Sequence, residues 1–220
     1  MAKTFSNRYI FIYSAVLVMV AALILTVVAV SLKPLQTKNQ EAEQKQMILK
    51  TIGIEATRDN AAELYAKYIF EDDGYYGINM NDDGTVIPLA GPGLAPICGI
   101  IIPLTGTGLW GPIWGYVALD SNCTIIGAVF DHKGETPGLG GEIATDKFAQ
   151  RFIGKSMIGD QPIQLKKNAD KNSKYEVDAI SGGTMTSSGV NDMLTKGWLK
   201  AKDIYTPEGT ILFNSEEGEQ

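Results

Sequence analysis

The chain has 220 residues, 45% of them apolar, with 19 Lys and Arg against 25 Asp and Glu, one His and two Cys. It is too apolar for a disordered chain, and a net charge of −6 lacks the basic face that a nucleic-acid partner needs. One His and two Cys cannot complete a four-ligand Cys/His zinc site, and they exclude a disulfide-dense scaffold.

The charge is unevenly placed. Residues 1–32 contain Lys3 and Arg8 and no acid, a charge of +2, which leaves −8 on the rest of a chain whose total is −6. After a short tail, 1–8, the run 9–32 (Tyr9 to Leu32) has no charged residue. As a helix it is about 36 Å long, enough to cross a hydrocarbon layer of about 30 Å with some tilt. Tyr9 and Tyr13 stand near one end, as interfacial aromatics do. A cleaved signal peptide is the competing reading. The run exceeds the apolar core of such peptides, about 7–15 residues, and Ala29-Val30-Ser31 is a poor cleavage site, so a retained anchor is expected. Lys3 and Arg8 flank one end and Lys33, Lys38, Lys45 and Lys50 the other. That count slightly favours a cytoplasmic C-terminal domain, although long following domains obey the positive-inside rule poorly.

A polar stalk or linker is expected over 33–56, helical through 36–50 and interrupted at Gly53. One α+β domain follows over 57–213. Its first helix is expected at 57–70, capped by Thr57 or Asp59, with Leu64, Tyr65, Tyr68 and Ile69 on one face and Asp72-Asp73-Gly74 as its stop. Glycines and prolines then punctuate a region of strands and turns, with strands at 97–102, 113–119 and 124–130 and a hairpin turn at Asp120-Ser121-Asn122. A helix capped by Thr145 aligns Phe148 and Phe152, and a short strand pair is expected within 161–180. A last helix is expected from Gly189 to Lys202 with Val190, Met193, Leu194 and Trp198 buried, before a frayed acidic tail, 214–220.

Two segments carry candidate chemistry. Residues 178–189 run Asp-Ala-Ile-Ser-Gly-Gly-Thr-Met-Thr-Ser-Ser-Gly between a strand and a helix. Paired glycines permit close backbone approach, and a helix N-terminus favours an anion, so the segment is a plausible phosphate seat. An ordinary Ser/Thr-rich cap has the same composition. It is neither a P-loop nor a nucleophile elbow. Residues 132–142, His-Lys-Gly-Glu-Thr-Pro-Gly-Leu-Gly-Gly-Glu, follow a strand. Their backbone amides could bond the edge of a flat ring with Leu139 against its face; a plain connection of turn formers reads the same way. His132 lacks an Asp or Cys partner, and nothing fixes a separation for Glu135 and Glu142 as an acid/base pair. Trp110 and Trp114 could stack on a ligand or fill a core, and Cys98 reads as a buried free thiol rather than a disulfide partner of Cys123.

Taken together, an N-terminal anchor, Gly-Leu-Trp-Gly (108–111), Glu-Thr-Pro-Gly-Leu-Gly (135–140) and Asp-x-x-Ser-Gly-Gly-Thr-x-Thr-Ser (178–187) resemble the C-subunit family of the sodium-translocating NADH:quinone oxidoreductase over essentially the whole chain. The resemblance implies a single transmembrane helix and one FMN-binding domain with a mainly antiparallel sheet and flanking helices. It implies FMN linked to Thr184 by a phosphoester, with Asp178 and Ser181 as recognition positions for the flavin transferase. Ser181, Gly182, Gly183, Met185 and Thr186 surround the attachment point. Glu135, Thr136, Pro137, Gly138, Leu139, Gly140 and Trp110 border the flavin. Gly183 stands where the family's motif usually has Ala, a small-for-small change. The implied role is an electron relay between an iron–sulfur centre and a flavin in a partner subunit, with the other membrane subunits and the transferase as partners and no catalytic residues or metal on this chain. The domain would lie on the outer, periplasmic side of the inner membrane, against the mild tendency of the Lys/Arg count. The homologous subunit of the ferredoxin:NAD electron-transfer complex shares the flavin motif, and a cofactor-free anchored assembly module is the reading from another class.

Overall fold

The computed structural model describes residues 6–72, 74–81, 83–89, 98–158 and 163–202. The predicted acidic tail lies outside them, as do Ile97 and residues 161–162 of the predicted strands. The chain divides into two units, 1–43 and 44–220.

Helix α1 (Asn7–Thr51) is continuous through the predicted anchor and stalk and contains Pro34. In the first unit its residues 6–41 are all exposed, with Phe11, Leu17, Met19, Leu23 and Leu25 among the uncovered apolar side chains. A helix that is apolar all round needs an apolar medium on every side. Two of its hydroxyls are turned inward to the backbone: Thr26 Oγ1 donates to the Ala22 carbonyl at 2.8 Å and Ser31 Oγ to the Val27 carbonyl at 2.7 Å. Such bonds satisfy polar groups where no water is at hand.

In the second unit the last turns of α1 lead to α2 (Ala61–Tyr68) and then to the strands β1 (Phe70–Asp72), β2 (Tyr75–Met80), β3 (Val86–Ile87), β4 (Gly99–Thr107), β5 (Pro112–Asp120) and β6 (Ile125–His132). Helix α2 is shorter than the predicted 57–70. Asn60 Oδ1 accepts the Thr57 N–H at 2.7 Å and closes a turn ahead of the helix, while Ile69 is already extended. The sheet order is β1-β2-β4-β5-β6, with β3 also paired to β2, and every pairing is antiparallel. The predicted strand ending at Ile102 continues through Pro103 to Thr107. Pro103 is tolerated because β2 pairs with β4 only at Gly99, Ile100 and Ile101, so the missing N–H faces no partner strand. The predicted turn at 120–122 forms: Asp120 Oδ1 accepts the N–H groups of Asn122 at 2.9 Å and Thr124 at 2.8 Å.

The strand alternation sorts side chains to two faces. Ile100, Ile102, Leu104, Ile113, Val117 and Leu119 face the larger core with Phe130, Phe148, Phe152, Val190, Met193, Leu194 and Trp198. Ile78, Ile101, Tyr116 and Ala118 face a second core that includes Ile48, Leu49, Ile69 and Tyr76. Beyond β6 come a 3-10 turn (Gly140–Ala144), the short helix α3 (Asp146–Ala149), and the strands β7 (Gln164–Lys166) and β8 (Glu176–Asp178), which pair in parallel. Thr145 caps α3, its side chain accepting the Phe148 N–H at 3.3 Å. Thr145→Ala is expected to cost about 1 kcal/mol, read as a lower urea midpoint with an unchanged slope. Helix α4 (Thr184–Ala201) closes the larger core and begins five residues before the predicted start at Gly189.

Candidate functional site

The early start of α4 changes the standing of the hydroxyl-rich segment. Gly183 is the N-cap residue and makes no side-chain cap, and Thr184 is the first helical residue. The Gly183 N–H closes a turn onto the Ile180 carbonyl at 3.1 Å, with Gly182 at φ 75° inside that turn. The next N–H groups, of Thr184, Met185 and Thr186, have no intrahelical partner, which leaves a local positive field at the helix start.

Four hydroxyls follow the two glycines, and their surroundings separate them. Thr186 is buried and its Oγ1 donates to Glu135 Oε2 at 2.5 Å. Ser187 is buried and its Oγ accepts the Ile180 N–H at 3.0 Å. Thr184 and Ser188 are exposed. The Thr184 hydroxyl makes no hydrogen bond to a described residue, and it borders a cleft of about 820 Å³ that Arg151, Lys167, Asn168, Asp178, Ser181, Ser187 and Asn191 also line. Arg151 Nη1 donates to the Asp178 carbonyl at 2.8 Å, and Asp178 Oδ1 accepts the Ala169 N–H at 2.8 Å. Asp178 is therefore tied by both its backbone and its side chain, and Ser181 is exposed on the turn.

The segment 132–142 meets the start of α4. Thr136, Pro137, Gly138 and Leu139 form a turn closed by the Leu139 N–H on the Thr136 carbonyl at 3.1 Å, with Gly138 at φ 75° in the position where such a turn requires glycine. The Gly141 N–H also bonds the Thr136 carbonyl, at 2.9 Å, and the Glu142 N–H bonds the Leu139 carbonyl at 3.1 Å. Three of the amides expected to face a ring are thus bonded within the loop, because the turn chemistry of Pro and Gly closes the chain on itself. The Gly140 N–H is different: Gly140 is buried and its N–H has no partner among the described residues. It lies beside Gly183, where an added Cβ would come within 3.3 Å of the Gly140 nitrogen. Leu139 packs on the turn before α4, since a Cβ at Gly182 would come within 2.6 Å of its Cδ2. Leu139 is still 43% exposed and Met185 62% exposed.

Glu135 joins the segments. It is 4% exposed, and its Oε1 accepts the Trp110 N–H at 2.8 Å. Trp110 belongs to the tip of the β4–β5 hairpin, which is closed by the Gly108 N–H on the Gly111 carbonyl at 2.8 Å, and the neighbouring Leu109 and Gly111 amides also favour the ionised carboxylate. A Cβ on Gly108 would stand 2.6 Å from Oε1, which explains a glycine there. The Trp110 side chain points away from any core and is 69% exposed; Trp114, on β5, is half-buried. His132 Nδ1 accepts the Glu135 N–H at 3.1 Å and braces the loop. No hydrogen bond joins Glu135 to Glu142 among the described residues, and an acid/base pair is not assembled. Cys98 and Cys123 are separate half-buried thiols.

Burial pushes the Glu135 carboxyl up, but the Thr186 hydroxyl and the N–H groups of Trp110, Leu109 and Gly111 outweigh it and hold the group below its ordinary value of 4.5. A folded-state pKa below the unfolded one adds stability above the unfolded value, and that increment is lost as pH falls through the folded value. The domain is therefore expected to lose stability as pH drops below 4.5, and Glu135→Gln should flatten that slope in urea titrations run across the same range.

FMN fits these residues. The cleft has the size of a small-molecule pocket and two cations line it, while beside the helix start lie a buried N–H without a partner among the described residues and the exposed side chains of Leu139 and Met185. Arg151 and Lys167 are not legible as site residues in the sequence, because basic residues at such spacing read as solvated surface. Only the fold of 163–184 brings them to Thr184.

Comparison with known proteins agrees. The FMN-binding domain family matches residues 108–198. The C subunit of the Na+-translocating NADH-quinone reductase of Neisseria meningitidis is 30% identical, over 86% of this chain and 90% of its own. That of Haemophilus ducreyi is 28% identical over 79% of this chain and 82% of its own. The crystal structure of the C subunit from Parabacteroides distasonis superposes with a TM-score of 0.60 at 29% identity, covering 76% of this chain and 92% of that one. The structure of Shewanella oneidensis NqrC, at 19% identity and a TM-score of 0.57, shares the fold.

Proposed function

The chain belongs to the NqrC family, the C subunits of Na+-translocating NADH-quinone reductases, and from that premise we propose that Thr184 is esterified to FMN and that this protein relays electrons within such a complex. The observation that carries the proposal is the Thr184 hydroxyl itself: first residue of α4, exposed, without a bond to a described residue, and at the edge of the cleft lined by Arg151 and Lys167.

Ester formation on an alcohol needs FMN in activated form, as the phosphoanhydride of a flavin dinucleotide. The Thr184 oxygen attacks the flavin-side phosphorus, and the anhydride P–O bond breaks. The nucleotide half leaves with the bridging oxygen, and the hydroxyl proton passes to a base of the flavin transferase or to solvent. The product is a singly charged phosphodiester. Beside a helix start that charge gains about 0.3–1 kcal/mol. Arg151 and Lys167 add countercharge from the cleft, while Gly182 and Gly183 let the turn before Thr184 pack closely on Leu139, Ile180 and Gly140. Asp178 and Ser181 serve as recognition positions, the first presented rigidly by its two ties. The Thr136–Gly141 turn and Leu139 border the flavin, and the Gly140 N–H supplies a fixed donor. The bound flavin supplies one- and two-electron redox chemistry, and the fold provides position and electrostatics.

In this reading α1 anchors the chain in the inner membrane with residues 57–213 on its outer side. Electrons arrive from an iron–sulfur centre and leave to a flavin in a partner subunit, while the complex oxidises NADH, reduces a quinone and exports sodium. The test is a denaturing gel of the full chain expressed with and without a flavin transferase. Yellow fluorescence that survives denaturation and depends on the transferase is the expected result. Fluorescence lost on unfolding would mean that flavin binds without a bond.

A further inference from the structure

We infer that Glu135 is a positioning residue for flavin attachment: by clasping the Thr186 hydroxyl it sets the first turn of α4, and with it the presentation of the Thr184 oxygen, without itself bonding the flavin. The inference rests on the assignment of Thr184 as the attachment point and adds how that oxygen is held.

An ionised carboxylate offers about four acceptor directions. At Glu135 one oxygen accepts the Thr186 hydroxyl at 2.5 Å and the other accepts the Trp110 N–H at 2.8 Å. The carboxylate is buried and is not among the residues that line the cleft at Thr184, so it faces the protein rather than a ligand there. The group is also too enclosed to turn, because a Cβ on Gly108 would stand 2.6 Å from Oε1 and one on Gly140 would stand 2.5 Å from Oε2. The same Cβ on Gly140 would collide with Thr186 Oγ1, so loop, carboxylate and helix are in close contact around this bond.

The bond has a mechanical consequence. Gly183 makes no side-chain cap, so the start of α4 has no conventional lock. Thr186, two residues past Thr184, is the side chain of the first turn that ties the helix to another segment, while Ser187 ties it to the preceding Ile180. Through Glu135 that tie reaches the Trp110 N–H at the tip of the hairpin that joins β4 and β5. A charged acceptor makes the bond stronger than a neutral one would. The hydrogen-bonded hairpin thereby holds the turn that carries the reacting oxygen, and a small displacement of a reacting atom is enough to slow a transfer by about 100-fold.

The test uses the purified full chain in detergent, a flavin transferase and a flavin dinucleotide donor. Attachment is measured by intact mass and counted per folded molecule from circular dichroism. Thr186→Val keeps the side-chain volume and removes the clasp; it is expected to lower the kcat of attachment about 10–100-fold with KM for the chain little changed. Thr186→Ser keeps the hydroxyl and should restore the rate. Glu135→Gln should act like Thr186→Val, and the double variant should be no slower than either single, because both remove one interaction. Should Glu135→Gln not fold, the two Thr186 variants decide alone. Attachment by Thr186→Val at the wild-type rate would overturn the inference, as would a rise in KM at unchanged kcat or an attachment defect that vanishes once counted per folded molecule. Failure of the wild-type chain to accept flavin at all would instead overturn the assignment of Thr184.

Discussion

Thr184→Val, expressed with the transferase, is expected to yield a folded chain with no covalent flavin at all. Valine matches threonine in shape and β-branching, so the first helical residue keeps its backbone preference. Thr184 donates to no described residue, so removing its oxygen strands no buried partner, and the change in stability should stay within about 0.5 kcal/mol. The nearby hydroxyls do not substitute. Thr186 is committed to Glu135 and Ser187 to the Ile180 N–H, both in buried surroundings. Ser188 is exposed but lies four residues past Thr184, just over one helical turn into α4 and away from the helix start. Loss of fluorescence in a denaturing gel beside an unchanged circular dichroism spectrum is the expected pair of results. Flavin retained at full stoichiometry would move the attachment to another side chain.

The second large effect is one of stability and has an unusual sign. Gly189 lies inside α4, where propensity alone predicts that Gly→Ala stabilises by about 1 kcal/mol. Here the helix crosses β4 so closely that a Cβ on Gly189 would collide with the Thr107 carbonyl, and Ile113 Cδ1 would stand 3.2 Å away. The Cβ has no rotamer of its own and the Thr107 carbonyl is backbone, so no rotamer change relieves that collision. Gly189→Ala is expected to destabilise the domain by about 3 kcal/mol, the upper part of the range for overpacked cores. Because the same helix carries Thr184, attachment should fall as well. A urea midpoint raised by the substitution would contradict the close crossing.

The same residue shows why the start of α4 is hard to place in the sequence. A glycine followed by an apolar stripe at 3.6 spacing reads as a boundary, which puts the expected start at Gly189. The structure needs that glycine for packing, which no single-sequence pattern reveals. The stripe itself, Val190, Met193, Leu194 and Trp198, is legible and is buried. Alternation in β4 and β5 is legible too, and Asp120 announces its turn, because these signals are local. Pro103 hides the second half of β4, since its tolerance depends on how far β2 extends alongside. The Glu-Thr-Pro-Gly-Leu-Gly segment is visible as turn chemistry, and its amides bond locally within the loop, yet the burial of Glu135 follows from contacts 25 and 51 residues away. Trp110 draws attention as a ring, whereas its contact with Glu135 is through the backbone N–H. The long apolar N-terminal helix is the plainest feature, because a long uncharged run needs no tertiary context.

The proposed electron relay depends on one bond at one oxygen. Peptide mass mapping of residues 175–196 from native membranes tests it most directly. The predicted result is a single phosphoester-linked FMN whose fragment series places the added mass on Thr184. An unmodified peptide, or the added mass on Ser188, would contradict it.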